Sequence, residues 1–226
     1  MSGTTQASLE SLPEWLYPLA RASDEVEANH LSPLIPAPPH GARPSAVLML
    51  FAEGAKGPDL LLTERAHTMR SHAGQISFPG GRSDPEDADA AATALREAHE
   101  EVGLDIGSVD VFGELPALWL PPTNHAVTTV LGWWRDPVPL HPVSADEVAS
   151  VFRTPISDLL DPANRFTVRG PSGWKGPGFL VSDGLTLWGF TAGVIARLFR
   201  HVGWEQEWDQ SRIEPFPEPN PPEETR

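Results

Sequence analysis

Hydrophobic positions along the chain change their spacing several times, and each change marks an element. Apolar runs at residues 45–51 and 59–63, broken by Gly54, Gly57 and Pro58, predict two strands joined by a turn. Ala91, Leu95, Ala98 and Val102 then recur at a 4-3-4 spacing, which at about 100° of rotation per residue draws one apolar stripe along a helix. Strand patterns return at 109–119 and 126–134, with shorter candidates at 166–169, 179–182 and 185–188, and residues 190–201 read as a terminal amphipathic helix. No internal repeat interrupts the alternation, which suits an α/β chain with a mixed sheet between helices.

The flanks read differently. Residues 1–42 form an N-terminal extension, in which Leu12, Trp15, Leu16 and Leu19 mark a docking helix and residues 32–44 are Pro-rich. Residues 43–203 carry the main domain. Residues 204–226, rich in Pro and Glu, predict a packed stub followed by a flexible tail.

Composition narrows the classes without choosing among them. With 226 residues and 40% hydrophobic content the chain can bury a full core. It has no cysteine, so thiol catalysis, disulfides and thiolate metal sites are excluded. No apolar run approaches the roughly 18 residues of a spanning helix, and the acidic start lacks the layout of a signal peptide, so a cytoplasmic protein with no membrane partner is expected. A formal charge of −15 disfavours general nucleic-acid binding, which depends on a basic footprint. Oligomeric state leaves no signal in the pattern.

The polar side of the helix at 90–102 holds the chemistry. On a helical wheel Glu97 and Glu101 stand about 40° apart, with Glu100 about 60° to the other side of Glu97. Such a face is ordinarily solvated, and Arg96 with Glu100 at i, i+4 is a common surface pair. Three like charges on one face nevertheless need either water or a cation to relieve their repulsion. A hard divalent ion would suit them, since Mg²⁺ is usually held by one or two carboxylates together with waters and substrate phosphates. Upstream, Gly80 and Gly81 permit close backbone approach and offer amides to phosphate oxygens.

These residues resemble a known signature. From Gly81 to Leu104 the chain is similar to the Nudix box, G-x5-E-x7-R-E-U-x-E-E-x-G-U with U aliphatic, and Arg96, Glu97, Ala98, Glu100, Glu101, Gly103 and Leu104 match its second half. The first half departs: Asp87 stands where Glu is expected, and eight residues rather than seven separate it from Arg96. The extra residue is expected in the loop before the helix, where Asp84-Pro85 and the capping candidates Ser83, Asp87 and Asp89 lie. The resemblance implies an α/β/α sandwich with a mixed β-sheet and hydrolysis of a diphosphate with Mg²⁺ or Mn²⁺. It implies Glu97 and Glu101 as direct metal ligands, with Glu100 completing the cluster through water or accepting a proton. Arg96 orients a neighbouring carboxylate, and Glu100 and Glu147 are the two candidates for the general base, Glu147 being equally placed to cap or decorate a short helix.

A second motif narrows the implied substrate. Leu61-Leu62-Thr63-x-Arg65-Ala66-x3-Arg70-x3-Gly74-x3-Phe78-Pro79-Gly80-Gly81 resembles the motif of the coenzyme A diphosphatase branch, as do Glu147-Val148 with Phe152 and Pro155, and Trp188-Gly189-Phe190-Thr191-Ala192. The branch implies coenzyme A or its derivatives as substrate, with Gly80, Gly81, Arg65 and Arg70 as binding residues; a guanidinium offers phosphate a fixed fork of donors. Broader hydrolysis of nucleoside diphosphates such as ADP-ribose or dinucleotides is the alternative, and a non-catalytic ligand-sensing domain a third. His67, His72, His99 and His125 show no metal-ligand spacing and are expected to be surface or hydrogen-bonding residues. Trp119, Trp133 and Trp134 are expected in the core.

Overall fold

The central strand is buried on both sides because its sequence leaves neither side polar. β1 (Arg43–Gly54) carries Leu48, Met49, Leu50 and Phe51 in succession, all fully buried. Successive side chains point to opposite faces, so both faces must be covered. The computed structural model describes residues 7–31, 37–69, 72–170 and 173–215. Before β1 lie α1 (Tyr17–Glu25) and α2 (Ala28–Leu31); after it come β2 (Gly57–Arg65), β3 (Ile76–Ser77), β4 (Gly80–Arg82) and α3 (Ala90–Val102). The chain continues through β5 (Val109–Glu114), β6 (Leu118–Leu120), β7 (His125–Trp134), β8 (Val148–Pro155) and α4 (Ile156–Leu160). It ends in β9 (Arg165–Arg169), β10 (Lys175–Leu180), β11 (Thr186–Leu187), α5 (Gly189–His201) and β12 (Ile213–Pro215).

The main sheet runs β3-β2-β1-β7-β5, with β4 paired to β1, β6 to β7 and β8 to β2. β1 and β7 are parallel and the other pairs antiparallel, which makes the sheet mixed, as the alternation of elements predicts. A smaller sheet orders β11-β10-β9-β12. Helices cover both faces of the main sheet. Ala46, Leu48, Leu50 and Ala52 pack with Ala91, Ala94, Ala98 and Val102 of α3. Met49 and Phe51 belong to the opposite core, with Leu19 of α1 and Ile195 and Phe199 of α5.

Several local expectations change. The stretch at 109–119 is two strands, because the chain leaves the sheet at Leu115–Ala117 around Pro116 before rejoining the other end of β7. Residues 148–155, unassigned from pattern alone, form β8; its partner β2 supplies the ladder, with a bulge between Glu64 and Arg65. Glu147 therefore sits in the turn that opens a strand, not on a short helix. The apolar residues of the N-terminal stretch are core: Leu16 and Leu19 are fully buried and Trp15 meets Trp133 edge-on at 5.9 Å. Trp133 and Trp134 are buried as expected, whereas Trp119, expected in the core with them, is only half-buried. Residues 32–36 of the Pro-rich segment, Arg70 and the tail at 216–226 lie outside the described residues. Among the described residues no helix is long and apolar enough to cross a membrane.

α3 begins where Asp89, in extended conformation, accepts the Ala92 amide at 2.7 Å, and it ends at Gly103 with φ 71. Replacing such a cap by alanine costs about 0.5–2 kcal/mol. Asp89→Ala should therefore lower the urea midpoint of unfolding without changing the slope; an unchanged midpoint would show that packing alone sets the start of α3.

Candidate active site

The three glutamates of α3 leave the helix in different directions and meet different environments. Glu101 turns inward and is only 5% exposed, beside the apolar stripe rather than across from it. Glu97 is half-buried, and Glu100 is exposed. The sequence expectation of three carboxylates displayed together thus resolves into one inside, one at the boundary and one in solvent. Among the described residues no three His, Asp or Glu side chains converge as a ready metal cage.

The glycine pair explains why the inner two sit where they do. β4 is held against β1 in the register Val47↔Gly80 and Ala46↔Gly81. A Cβ on Gly80 would stand 2.6 Å from the Val47 Cα, and one on Gly81 would stand 2.5 Å from the Glu97 carboxyl carbon. With no side chain in the way, the Gly80 amide donates to Glu101 Oε2 at 3.0 Å. That amide, expected from the sequence to serve phosphate, is engaged by a carboxylate. Burial raises Glu101 to about 7; the Gly80 hydrogen bond and the charge of Arg65 oppose this, and Glu97 and Glu147 add to it. Burial also lifts Glu97, against the pull of Arg96 and with the repulsion of Glu100 and Glu147 behind it. One hydrogen bond and a nearby arginine do not outweigh burial at Glu101, so the carboxyl stays partly protonated near neutrality.

Arg96 ties the remaining pieces together. Its Nε and Nη2 grip Asp87 at 3.0 and 2.9 Å, Nη1 reaches Glu100 at 3.1 Å and Glu97 at 3.3 Å, and Nη2 also donates to the Arg82 carbonyl at 2.9 Å. The Arg96 hydrogen bonds, with those from the Asp84 amide and Thr93, hold Asp87 well below the usual carboxylate range despite its burial. Asp87, left without a role by the spacing of the motif, is the anchor of Arg96.

A cavity of about 380 Å³ opens beside the glycine pair. Gly80, Gly81, Arg82 and Arg65 form part of its wall, and Val47, Ile76, Leu120, Val127, Trp188 and Phe190 make much of the rest apolar. Arg65 lies at the end of β2, donates from Nη2 to the Met69 sulfur at 3.0 Å, and has a buried Nε with no hydrogen-bond partner. Glu147 is exposed, and its backbone carbonyl accepts the Ala66 amide at 2.8 Å, which fixes it next to Arg65.

Other cavity residues escaped the sequence reading. His72 and His125, expected as ordinary surface or hydrogen-bonding histidines, both line the cavity, as does Ser45, whose Oγ is 2.5 Å from His125 Nδ1. Burial, and then the charges of Arg43 and Arg82, hold His125 below its ordinary value, so its ring favours the neutral form. No local spacing marks these residues, because β1 and β7 bring them together only in the fold. Trp119, by contrast, hydrogen-bonds Asn124 at 3.1 Å and is not among the lining residues.

Two outcomes follow from this geometry. Gly81→Ala should displace the Glu97 carboxylate and lower kcat by about tenfold or more while the chain still melts cooperatively, since misplacing a catalytic group by about 1 Å can cost 10²-fold; normal turnover would detach Glu97 from the chemistry. The second concerns pH. The fold favours protonated Glu101, so its stabilising contribution is full below the ordinary value of 4.5 and is lost as pH rises through about 7. In metal-free protein, melting temperature should therefore decline across that window more steeply than in Glu101→Gln, and added Mg²⁺ should reverse the decline. Parallel profiles for the two proteins would place the ionisation elsewhere.

Comparison with known proteins agrees with this architecture. The NUDIX domain family model matches residues 42–171. The chain is 41% identical over 155 residues to Nudix hydrolase NudL of Cronobacter sakazakii, covering 65% of this chain and 76% of that protein. It is 40% identical over 171 residues to NudL of Citrobacter koseri, covering 71% and 83%. The crystal structure of the Nudix hydrolase RenU from M. smegmatis shares the fold with a TM-score of 0.51 at 21% identity, covering 70% of this chain and 84% of that one. With more than half its length matched by the family model and a relative aligned over most of its own, the chain belongs to the Nudix hydrolase family.

Proposed function

We propose that the chain hydrolyses the diphosphate bond of coenzyme A and its derivatives, releasing 3′-phosphoadenosine 5′-phosphate and 4′-phosphopantetheine or its acylated form. The observation that carries this reading is spatial. Arg65, Gly80 and Gly81 come from one stretch that resembles the coenzyme A branch, and Trp188, Gly189, Phe190 and Thr191 from another over a hundred residues away; all line the same cavity. Its apolar walls suit a pantetheine arm or an adenine, and its polar end lies at the glycine pair beside the carboxylates.

Nudix hydrolases generally use divalent metals, and the donor set here fits one. Glu97 and Glu101 are two hard oxygen donors whose carboxyls are crowded and raised by burial and mutual repulsion. A cation would relieve that repulsion, with water and substrate phosphate completing a coordination that two carboxylates leave open. Mg²⁺ or Mn²⁺ would supply charge neutralisation of the diphosphate. The chain's own residues do the rest. Arg96, braced by Asp87, orients Glu97 and Glu100. Arg65 turns a positive field toward the diphosphate end, as its effect on Glu101 indicates. Either Glu100 or Glu147 takes the proton from the attacking water as a P–O bond of the anhydride breaks. Glu100 already shares its carboxylate with Arg96, whereas Glu147 projects from the turn before β8, which favours Glu147 as base.

Product identification from a panel of coenzyme A, dephospho-coenzyme A, ADP-ribose and a dinucleotide, with Mg²⁺ and Mn²⁺ compared, tests the reading. Coenzyme A should show the highest kcat/KM. Arg65→Ala should lower kcat/KM by an amount on the order of 1.5–3 kcal/mol on coenzyme A and dephospho-coenzyme A alike, the worth of a hydrogen bond to charge. Arg70→Ala should penalise only the substrate that carries the ribose 3′-phosphate. Preference for ADP-ribose would assign the chain to broader nucleoside diphosphate hydrolysis, and cleavage of none of the four to ligand sensing.

A further inference from the structure

A second cavity of about 380 Å³ lies about two turns further along α5 and shares no lining residue with the first. Four cationic side chains line it: Arg165 of β9, Lys175 of β10, and Arg197 and Arg200 of α5. The chain has 16 Lys and Arg against 31 Asp and Glu, so four cations around one hollow run against the composition. Structural ion pairing is the first account to test.

It covers only part of the cluster. Glu205 accepts from Arg200 Nε at 2.6 Å and Arg200 Nη2 at 3.2 Å, and also from Arg165 Nη2 at 3.1 Å, so one carboxylate serves two guanidinium groups. Arg197 spends Nη1 on the Leu31 carbonyl at 2.6 Å, a neutral partner, and Lys175 is exposed at the rim. Arg165 is the informative member. It is 3% exposed, its guanidinium is packed 4.3 Å from the Phe179 ring and 4.8 Å from the Trp208 ring, and its Nε is buried with no hydrogen-bond partner. Burial lowers the pKa of both Arg165 and Arg197, and the charge of Arg200 adds to it in each case, while Glu205 opposes it at Arg165. A buried unpaired donor is costly, and a surplus of neighbouring positive charge adds to that cost. An anion in the cavity offsets that surplus of charge.

We infer that this cavity binds a small phosphate-bearing molecule, its phosphate met by Arg165, Lys175 and Arg197 and its organic part lying against Trp208. Guanidinium groups present several donors in fixed geometry to phosphate oxygens, and Lys175 adds a mobile charge at the mouth. The volume falls within the roughly 300–1,000 Å³ in which proteins hold organic ligands, more room than a bare ion needs. A nucleic acid would carry its further phosphates over a chain whose formal net charge is −15, which favours a small molecule as the ligand. The site is separate from hydrolysis, and its occupancy does not depend on which diphosphate the glycine-walled cavity cleaves.

The test is a titration of the metal-free full chain with inorganic phosphate at constant ionic strength, followed by ¹⁵N-resolved NMR. The Thr167 and Gly176 amides and the Trp208 indole should shift and saturate together, on a curve distinct from that of the Gly80 and Gly81 amides. Lys175→Glu, at an exposed position, should weaken that curve by about tenfold or more, the worth of a hydrogen bond to charge, and leave the Gly80 and Gly81 response in place. Gln210→Glu at the exposed rim should act in the same direction, so the outcome does not hang on one variant. Linear shifts that chloride reproduces, saturation confined to Gly80 and Gly81, or curves indifferent to both substitutions would overturn the site.

Discussion

The backbone of Gly80 and Gly81 is squeezed between β1 and α3, and the arrangement of the catalytic face depends on that squeeze. The register with Ala46 and Val47 fixes the pair from one side. From the other, the Glu97 carboxylate lies where a side chain on Gly81 would stand, and Glu101 accepts from the Gly80 amide. Neither constraint is polar chemistry in itself. Together they force two carboxylates into partial burial next to each other, where their ordinary solvation is lost. The helix tolerates this because its apolar stripe is packed against β1 and because the Gly80 amide recovers one hydrogen bond. What remains unsatisfied is negative charge, in a family whose members generally use divalent metals.

Arg96 acts at the next level. A surface pair with Glu100 alone would be worth about 0–1 kcal/mol and would fix nothing. Its two-point grip on Asp87 is different, because the Asp87 side chain is only 8% exposed and is also held by Thr93 and the Asp84 amide. Asp87 is therefore an immobile counter-charge in the loop that leads into α3.

The sequence made the helix, its N-cap region, the glycine pair and the identity of the carboxylates legible, because all of these are encoded within some twenty residues and by local spacing. It placed the glutamates together on one helix, which is continuous over Ala90–Val102. It did not place them in depth: whether Glu101 faces solvent or a strand depends on β4, a three-residue element with no periodicity to read. β8 was hidden for a similar reason, since Ser150 and Arg153 dilute its apolar pattern and its ladder comes from β2. The cavity is further from local reading still. Ser45, His72, His125 and Trp188 share no spacing, and only the pairing of β1 with β7 and the docking of α5 bring them to one wall. A resemblance that linked Arg65 to the Trp188 stretch carried information which residue periodicity could not.

A formal charge of −15 might be thought to repel the anionic substrate of such a site. The distances decide otherwise. At physiological salt the field of exposed charges decays over about 8 Å, so most of the acidic surface is invisible from inside a cavity. What a bound phosphate would experience is the nearest shell, and at the glycine-walled cavity that shell holds Arg65 and Arg82 in the wall and the carboxylates of Glu97 and Glu101 behind the glycine pair. Negative charge at long range slows encounter with polyanions and acidic partners, whereas cations at short range hold one phosphate. Composition therefore bears on which large molecules stay away, and the short-range balance of arginines and carboxylates at the cavity on which small ones can stay.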